Sequence, residues 1–321
     1  MPKVIIHNAV DPAARALLEA RPGMEIQVIA RDERERLRRE LADADAIILR
    51  YLPLDAGDLR AAPNLKVIAR HGVGYDNVDM AAAGECGIPV ATIGDANSFT
   101  VAEITLYLML ATAKQGLTHD AAVRGGDWWQ VREEARSIEL YQKTVLVVGF
   151  GRIGSLVAPR CRAFGMAVNV CDPYIPQSLI SDAGFTPVAD FSAALADADI
   201  VTLHTPLNDE TRHMIDAPAL ARMKKGAILI NTSRGPVADG AALHAAIASG
   251  HIHAAGLDVF EEEPPQPANP LLAHTNSIFT PHIGGLSREC FYRSAIVCAQ
   301  NSLDAIDGKL NAAYVVNPEV L

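Results

Sequence analysis

The chain has 321 residues, of which 50% are hydrophobic and 21% charged, and its net charge is −10. This composition is close to that of soluble globular proteins and excludes a disordered chain, a collagen-like chain and a long coiled coil, while the length suggests two domains. The acidic balance argues against nucleic acid as a general partner.

No apolar run reaches the roughly 18 residues that a membrane span needs, and the N-terminal segment MPKVIIHNAVDP does not resemble a signal peptide. The cysteines number five and form no CxxC pair, so we expect a reducing cytoplasmic location. The spacing of His, Cys, Asp and Glu shows no zinc signature, and no metal is expected.

Short β-rich runs alternate with helical patterns in the first third of the chain. Strands are predicted at residues 4–6, 26–29, 46–49, 67–69 and 90–92, with helices at 13–20 and 33–41. Continuous apolar strands that alternate with helices predict a parallel sheet covered on both faces.

A longer helix is predicted from Ser98 to Gln115, and a loop follows at Arg124–Trp129 because of its paired glycines. A second α/β series comes next, with strands predicted at residues 145–148, 167–170, 200–204, 227–230, 254–259 and 277–280 and a last helix at about 288–308. The fold class is therefore α/β, with two doubly wound parallel sheets.

A glycine fingerprint, Gly149-Phe150-Gly151-Arg152-Ile153-Gly154, directly follows one apolar strand and precedes a helical pattern. Gly149 allows a tight turn, Gly151 lets backbone approach a pyrophosphate, and Gly154 lets helix and strand pack closely. The helix N-terminus supplies free N–H groups for the phosphates. This context predicts a dinucleotide site.

Asp172 ends the next predicted strand, 18 residues after Gly154. A carboxylate there accepts hydrogen bonds from ribose hydroxyls and repels the 2′-phosphate of NADP, so the pattern favours NAD. Two alternatives stay open on these residues alone: a methyltransferase that binds S-adenosylmethionine, and a glycine-rich turn with an unrelated Asp.

Further motifs follow one another along the chain. They are GVGYDNVD at 72–79, ANSFTVAE at 96–103, HTPL at 204–207 with Thr211, NTSRG at 231–235, GLDVF at 256–260 and PHIGG at 281–285. With the glycine fingerprint, they make the chain resemble the D-isomer-specific 2-hydroxyacid dehydrogenase family over essentially its whole length.

The resemblance implies three catalytic residues. Arg234 would bind the substrate carboxylate and polarise the keto oxygen, a task that suits the planar, permanently charged guanidinium. His282 would act as general acid in reduction and general base in oxidation. Glu263 would contact His282, while Glu261 and Glu262 are expected to be solvated.

The resemblance assigns a further set of residues to the cofactor. Asp258 would lie near the nicotinamide carboxamide. The others are Thr232, Ser233, Gly284 and Gly285 beside the nicotinamide ring, His204 and Pro206 along the ribose and phosphates, and Thr211 as a further cofactor residue. For His204 and Pro206, an ordinary exit from a strand is the alternative.

Substrate residues are expected in the first domain. The glycines of Gly72-Val73-Gly74 expose N–H groups that can hold a carboxylate. In the phosphoglycerate dehydrogenase branch, basic residues that match Arg50 and Arg70 hold a distal phosphate, although surface ion pairs are the alternative. Tyr51-Leu52-Pro53-Leu54 replaces the small polar stretch usual there. Hydroxypyruvate, glyoxylate, bulkier 2-keto acids and sulfolactate-like acids therefore also stay open.

The resemblance implies an NAD-dependent oxidoreductase that interconverts a D-2-hydroxy acid and its 2-keto acid, such as 3-phosphoglycerate or hydroxypyruvate. A Rossmann NAD domain at about 100–289 would be inserted into a flavodoxin-like substrate domain at 1–99 and 290–321, with the ligands in the cleft between them. No C-terminal regulatory domain is expected after Leu321. A homodimer through the Ser98–Gln115 helix and the tryptophan pair 128–129 is also expected. The alternative function is a non-catalytic NAD(H) sensor of the corepressor type.

Overall fold

The computed structural model describes residues 1–134 and 137–321, which form two compact units. Unit 1 comprises Met1–Asn97 and Gly285–Leu321, and unit 2 is the contiguous segment Ser98–Gly284. Each unit is built on its own parallel sheet with helices. The predicted fold class, two parallel-sheet α/β domains, is confirmed.

The sheet of unit 1 has five parallel strands in the order β2-β1-β3-β4-β5. Its strands are β1 (Lys3–His7), β2 (Glu25–Ile29), β3 (Ala46–Leu49), β4 (Val67–Arg70) and β5 (Val90–Ala91), joined by helices α1 (Pro12–Glu19), α2 (Arg34–Leu41), α3 (Ala56–Arg60) and α4 (Met80–Glu85). Helices α1, α3 and α4 each begin at an aspartate whose carboxylate accepts an otherwise free backbone N–H.

Unit 2 has seven parallel strands in the order β12-β11-β10-β9-β6-β7-β8. The strands are β6 (Thr144–Val148), β7 (Ala167–Cys171), β8 (Thr186–Pro187), β9 (Ile200–Leu203), β10 (Ala227–Asn231), β11 (Ile252–Leu257) and β12 (Ile278–Phe279). The helices are α5 (Ser98–Ala113), α6 (Gly116–Gly125), α7 (Trp128–Glu134), α8 (Gly154–Ala163), α9 (Gln177–Asp182), α10 (Phe191–Asp197), α11 (Ala217–Arg222) and α12 (Gly240–Ala248). Because the strands are parallel, their carboxyl ends share one edge, where ligands bind in such folds.

The predicted loop at Arg124–Trp129 is wrong. Helix α6 continues through Arg124 and Gly125, and α7 begins at Trp128. Within this segment, Gly126 is the one residue with positive φ, at 90°, and it ends α6. The two glycines therefore suggested a longer interruption of helical structure than the chain contains, because the backbone requires glycine at only one of the two positions. The short edge strand β8 was not predicted either.

The last helix, α13 (Arg288–Ile306), belongs to unit 1. Ser287 caps its N-terminus, and the helix packs on α1, β3 and β4. It was predicted at nearly these bounds because its apolar residues recur at helical spacing. Among the residues that the structure describes, no helix is both long and apolar enough to span a membrane.

Candidate active site

The glycine fingerprint forms a turn that only glycine permits. Gly149 follows β6 with φ +91°, and a Cβ added there would lie 2.7 Å from the His204 carbonyl oxygen. A Cβ on Gly154 would lie 2.0 Å from the Gly149 oxygen, so close packing of helix and strand excludes any side chain. At Gly151, no atom of the described residues lies within 4 Å of an added Cβ. This open backbone at the start of α8 fits a pyrophosphate.

Asp172 directly follows β7 and is fixed beside this turn. Its Oδ2 accepts the Phe150 N–H at 2.7 Å, while Oδ1 accepts those of Tyr174 and Ile175 at 2.9 and 3.2 Å. The carboxylate is therefore anchored on the fingerprint itself, next to the open backbone of Gly151. This arrangement fits a dinucleotide whose ribose hydroxyls donate to Asp172.

The structure brings His282 and Glu263 together at 2.6 Å between Nδ1 and Oε2. The other carboxylate oxygen of Glu263 accepts the Phe260 N–H at 3.0 Å, which fixes the orientation of the carboxylate. With Nδ1 bonded to Glu263, the ring presents Nε2 to a reactant. Such a pair can move a proton at Nε2.

His282 has φ +53°, a left-handed conformation that a residue with a side chain seldom adopts. Its N–H donates to the carbonyl oxygens of Asp258, at 2.8 Å, and Thr280, at 3.0 Å. These bonds help to hold a conformation that costs about 1–3 kcal/mol. Strain of this kind is concentrated at functional sites, so the backbone supports a catalytic role for His282.

The positive charge of Arg234 acts on the carboxylate of Glu263, the partner of His282. Burial alone would raise the pKa of Glu263, but the hydrogen bond and charge of His282, the Phe260 N–H and the positive charge of Arg234 outweigh it and lower that pKa. Glu263 is therefore ionised at neutral pH. The three predicted catalytic side chains act on one another within unit 2.

Two residues that the sequence reasoning left without a role position Arg234. The Asn231 side chain accepts the N–H and hydroxyl of Ser233 at 3.0 and 2.8 Å and donates to the Arg234 carbonyl at 2.9 Å. An added Cβ on Gly235 would lie 1.9 Å from the Phe260 carbonyl, so glycine alone allows this close packing. Both residues stand in the NTSRG motif, which was the available signal.

Asp258 organises the loop that carries His282. Its carboxylate is 1% exposed and accepts the Thr280 hydroxyl at 2.6 Å and the N–H groups of Ile283 and Gly284 at 2.9 and 2.8 Å. Burial raises the pKa of Asp258, and these bonds oppose that effect. The observed contacts thus orient the loop, and the predicted contact with nicotinamide stays a prediction.

Several predicted cofactor residues have hydrogen bonds within the protein. The Thr232 hydroxyl pairs with that of Thr105 on α5 at 2.9 Å. The Thr211 hydroxyl donates to the Pro206 carbonyl at 2.7 Å and so closes its own turn. Gly285 lies in unit 1, whereas Gly284 lies in unit 2.

His204, which follows β9, is held as a neutral imidazole. Burial lowers its pKa to about 3. Its Nε2 pairs with the Thr202 hydroxyl at 3.0 Å, whereas the buried Nδ1 has no partner among the described residues. A buried orphan nitrogen is unusual in a native protein, and it leaves His204 able to contact a bound group.

The predicted substrate residues lie at the carboxyl edge of the sheet in unit 1. Arg50 follows β3 and is only 8% exposed; it donates to the Ala9 carbonyl at 2.5 Å. Arg70 ends β4 and donates to the Leu49 carbonyl at 3.1 Å, and Gly72-Val73-Gly74 follows directly. Because Arg50 is buried, the surface ion pair considered for it is excluded, and no carboxylate pairs with Arg50 within the described ranges 1–134 and 137–321.

Comparison with known proteins gives concordant results. Residues 106–284 match the family model described as D-isomer specific 2-hydroxyacid dehydrogenase, NAD binding domain. Over 99% of its length, the chain is 41% identical to 60% of a D-3-phosphoglycerate dehydrogenase from Methanocaldococcus jannaschii. It thus spans about 60% of that curated relative. Over its full length it is 36% identical to a glyoxylate reductase from Aeropyrum pernix, covering 97% of that protein.

A solved structure agrees with these relatives. The NAD-dependent formate dehydrogenase from Staphylococcus aureus in complex with NAD superposes with a TM-score of 0.87 at 28% identity, covering 98% of each chain. The matches leave the methyltransferase alternative without support. The chain therefore belongs to the D-isomer specific 2-hydroxyacid dehydrogenase family and contains that family's NAD-binding domain.

Proposed function

We propose that this chain is an NAD-dependent oxidoreductase that interconverts a D-2-hydroxy acid and the corresponding 2-keto acid. The observation that carries the proposal is the 2.6 Å pair of His282 and Glu263, together with the charge of Arg234 on the same carboxylate. All three belong to unit 2, which also carries the glycine fingerprint. The relatives reported above are named for enzymes, and none supports the regulatory alternative.

The cofactor would be held by the fingerprint and its neighbours. Gly149, Gly151 and Gly154, with Arg152 and Ile153 between them, would hold the pyrophosphate, because the turn leaves its backbone open to a ligand. NAD bound there supplies the acceptor or donor of a hydride. The remaining proposed contacts are Asp172, His204, Pro206, Thr211, Thr232, Ser233, Asp258, Gly284 and Gly285.

The catalytic side chains divide the work of proton transfer and substrate binding. Arg234 binds the substrate carboxylate through two parallel N–H bonds and polarises the C2 oxygen. In oxidation, His282 Nε2 takes the hydroxyl proton while the C2 hydrogen leaves as hydride. In reduction it returns that proton to the keto oxygen. Glu263 holds Nδ1, which keeps the ring in the orientation and tautomer that this exchange needs.

The substrate is proposed to be a small anionic acid such as 3-phosphoglycerate or hydroxypyruvate. Arg50 and Arg70 would bind its distal end, and the N–H groups of Gly72-Val73-Gly74 would bind its carboxylate. The two named relatives differ in this respect, since one is a D-3-phosphoglycerate dehydrogenase and the other a glyoxylate reductase. The choice among such acids therefore depends on the residues of unit 1.

A homodimer is proposed through α5 and α7. These helices expose large apolar side chains, with Phe99 52%, Tyr107 47% and Trp129 71% accessible. A second copy of the chain would cover them, because exposed apolar surface can mark a site of protein–protein interaction. Light scattering after size exclusion should report a dimer for the wild type and a monomer for Trp129→Glu. A monomeric wild type at assay concentration would contradict this contact.

A substrate panel tests the activity directly. NADH oxidation should be measured with 3-phosphohydroxypyruvate, hydroxypyruvate, glyoxylate, phenylpyruvate and sulfopyruvate. Turnover of at least one acid, with product of D configuration, is the expected result. Tight NADH binding without oxidation across the panel would instead favour the NAD(H) sensor.

A further inference from the structure

Glu263, the partner of His282, lies in an irregular segment that follows β11. Residues 258–269, all of which the structure describes, form no helix or strand. Phe260 anchors the start of this segment, because it is buried and its ring centre lies 5.8 Å from that of Phe279. Residues 261–264, by contrast, are exposed. The position of Glu263 therefore depends on the side-chain bonds that hold this short exposed stretch.

Glu261 ties the exposed stretch to two neighbouring loops. Its Oε1 accepts the Gly240 N–H at 2.6 Å, at the N-terminus of α12, and its Oε2 lies 3.1 Å from Nε2 of His213. A carboxylate is favoured at a helix N-terminus, because it neutralises the positive end of the helix dipole. The three residues follow β11, β10 and β9, which are neighbours in the sheet. One carboxylate thus links the loops of three adjacent strands.

His213 is itself fixed by the backbone. It has a left-handed φ of +53°, and its N–H donates to the Pro236 carbonyl at 2.8 Å. Two residues later, Ile215 forms an isolated parallel bridge with Ala238. The imidazole that meets Glu261 is therefore carried by a segment bonded to the chain that follows Arg234.

The stretch 261–263 thus carries two His–Glu pairs of similar build. Glu261 pairs with His213 and Glu263 with His282, and both histidines have a φ of +53°. Each of the two carboxylates also accepts a backbone N–H. Because the two glutamates are only two residues apart on an irregular stretch, a displacement of Glu261 is expected to displace Glu263.

We infer that Glu261 is a positioning residue that, together with His213, fixes Glu263 in its catalytic place. The inference rests on the proposed function, in which Glu263 orients the ring of His282. An exposed ion pair adds little to the free energy of unfolding. The effect of the Glu261 pair is therefore expected in the geometry of Glu263 and in kcat, and not in global stability.

Steady-state kinetics with a 2-keto acid and NADH test this role. Glu261→Ala should lower kcat by about 10-fold to 100-fold through misplacement of Glu263, and it should leave the KM for NADH nearly unchanged. His213→Asn should cost less, because the bond to Gly240 remains and asparagine tolerates the left-handed backbone. Glu261→Gln should recover most of kcat, since its amide oxygen can still accept the Gly240 N–H.

Glu262 offers a matched control on the same stretch. It is exposed, and its carboxylate accepts a hydrogen bond from the Gln266 side chain at 2.7 Å. Glu262→Ala removes the same charge and should keep the wild-type kcat. Wild-type kcat in Glu261→Ala, or equal losses in the two alanine variants, would overturn the inference. So would a large fall in the urea midpoint of Glu261→Ala, because the residue would then be merely structural.

The pKa of Glu263 gives a second measurement that needs no turnover. Burial raises this pKa, and the hydrogen bond and charge of His282 help to outweigh burial. Loss of the Glu261 charge alone would lower the pKa of Glu263 further, because a like charge nearby disfavours ionisation. Loss of position would instead weaken its bonds and raise the pKa. The sign of the change therefore separates positioning from simple electrostatics.

Carbon-13 NMR of glutamate labelled at Cδ measures this pKa, with Glu263→Gln to assign the signal. We expect a higher pKa of Glu263 in Glu261→Ala than in the wild type and in Glu262→Ala. Turnover of a keto acid by the wild type, with an unchanged or lower pKa in Glu261→Ala, would overturn the inference and keep the proposed function. The raised pKa without turnover of any keto acid would overturn the function and keep the positioning of Glu263 by Glu261.

Discussion

The polar side chains at the carboxyl edges of the two sheets differ in how far they are hydrogen-bonded within the protein. In unit 2, the side chains of Asp258, Glu263 and Asn231 form hydrogen bonds with neighbouring backbone and side-chain groups. These bonds hold the loops that carry His282 and Arg234. In unit 1, His7 and His71 stay buried with unpartnered nitrogens beside Arg50.

This difference separates two ways of preparing a site. The edge in unit 2 is preorganised, so its geometry exists before any ligand arrives and costs no reorganisation during the reaction. At the edge in unit 1, the ring nitrogens of His7 and the Nε2 of His71 have no hydrogen-bond partner among the described residues, so part of the bonding there is open to a ligand. Chemistry is therefore expected to depend on unit 2, and substrate choice on unit 1.

The largest effect is expected from His282→Ala. Removing the general acid–base should lower kcat by about 100-fold to 10,000-fold, while NAD affinity changes little because the fingerprint is intact. Steady-state kinetics and fluorescence titration with NADH measure the two quantities. His119→Ala, on α6, is the control. Ordinary turnover in His282→Ala would remove this residue from the mechanism.

Asp258→Asn tests whether the edge of unit 2 is preorganised by its hydrogen bonds. An amide cannot accept from Thr280, Ile283 and Gly284 with the same geometry, so one buried N–H should lose its acceptor. We expect the free energy of unfolding to fall by about 1–3 kcal/mol. Displacement of His282 should also lower kcat by up to about 100-fold. Wild-type stability and kcat would show that this carboxylate does not organise the loop; the exposed Asp182→Asn is the control.

Asp172→Ala tests whether the carboxylate at the edge of unit 2 selects NAD over NADP. Loss of the carboxylate removes a partner of the ribose and a negative charge that repels a 2′-phosphate. The ratio of kcat/KM for NAD over NADP should fall by about 10-fold or more. Both cofactors should be compared at one substrate concentration, with Asp182→Ala as the reference. An unchanged ratio would show that the ribose assignment is wrong.

The smallest effect is expected from the pH dependence of Glu263. Its pKa is lowered in the folded protein from a usual value of 4.5, so the unfolded chain binds a proton more readily. The stabilisation is therefore present above pH 4.5 and is lost as the pH falls through the lower folded pKa. Urea unfolding between pH 6 and about pH 3 should show a steeper loss for the wild type than for Glu263→Gln. Parallel curves would contradict the lowered pKa.

The sequence predicted most elements because the buried strands read as continuous apolar runs. The sequence also predicted the fingerprint turn, because glycine is the only residue type that fits at positions 149 and 154. Glu261 is exposed, as expected, but it also accepts the Gly240 N–H at 2.6 Å and contacts His213 at 3.1 Å, and the sequence predicted neither contact. Contacts between residues this distant along the chain follow from the tertiary fold and leave no local pattern.

His7 and Arg50, at the carboxyl edge of the sheet in unit 1, also show what a sequence does not reveal. A histidine in a strand is ordinary in a sequence, and nothing local distinguishes His7 from the other histidines of the chain. What marks it is the absence of partners once the strand is buried, which only three-dimensional structure reports. Arg50 was identified from its position after a strand and from the family resemblance, but its contacts with the rings of Tyr51 and Phe291 were not predictable.

The most direct test of the account follows one hydrogen atom. Mixing the protein with NADH deuterated at nicotinamide C4 and a 2-keto acid that it turns over should place deuterium at C2 of the product. Mass spectrometry and chiral chromatography then identify the label and the configuration. The account predicts a deuterated D-2-hydroxy acid. An L product, or a C2 hydrogen that comes from solvent, would contradict it.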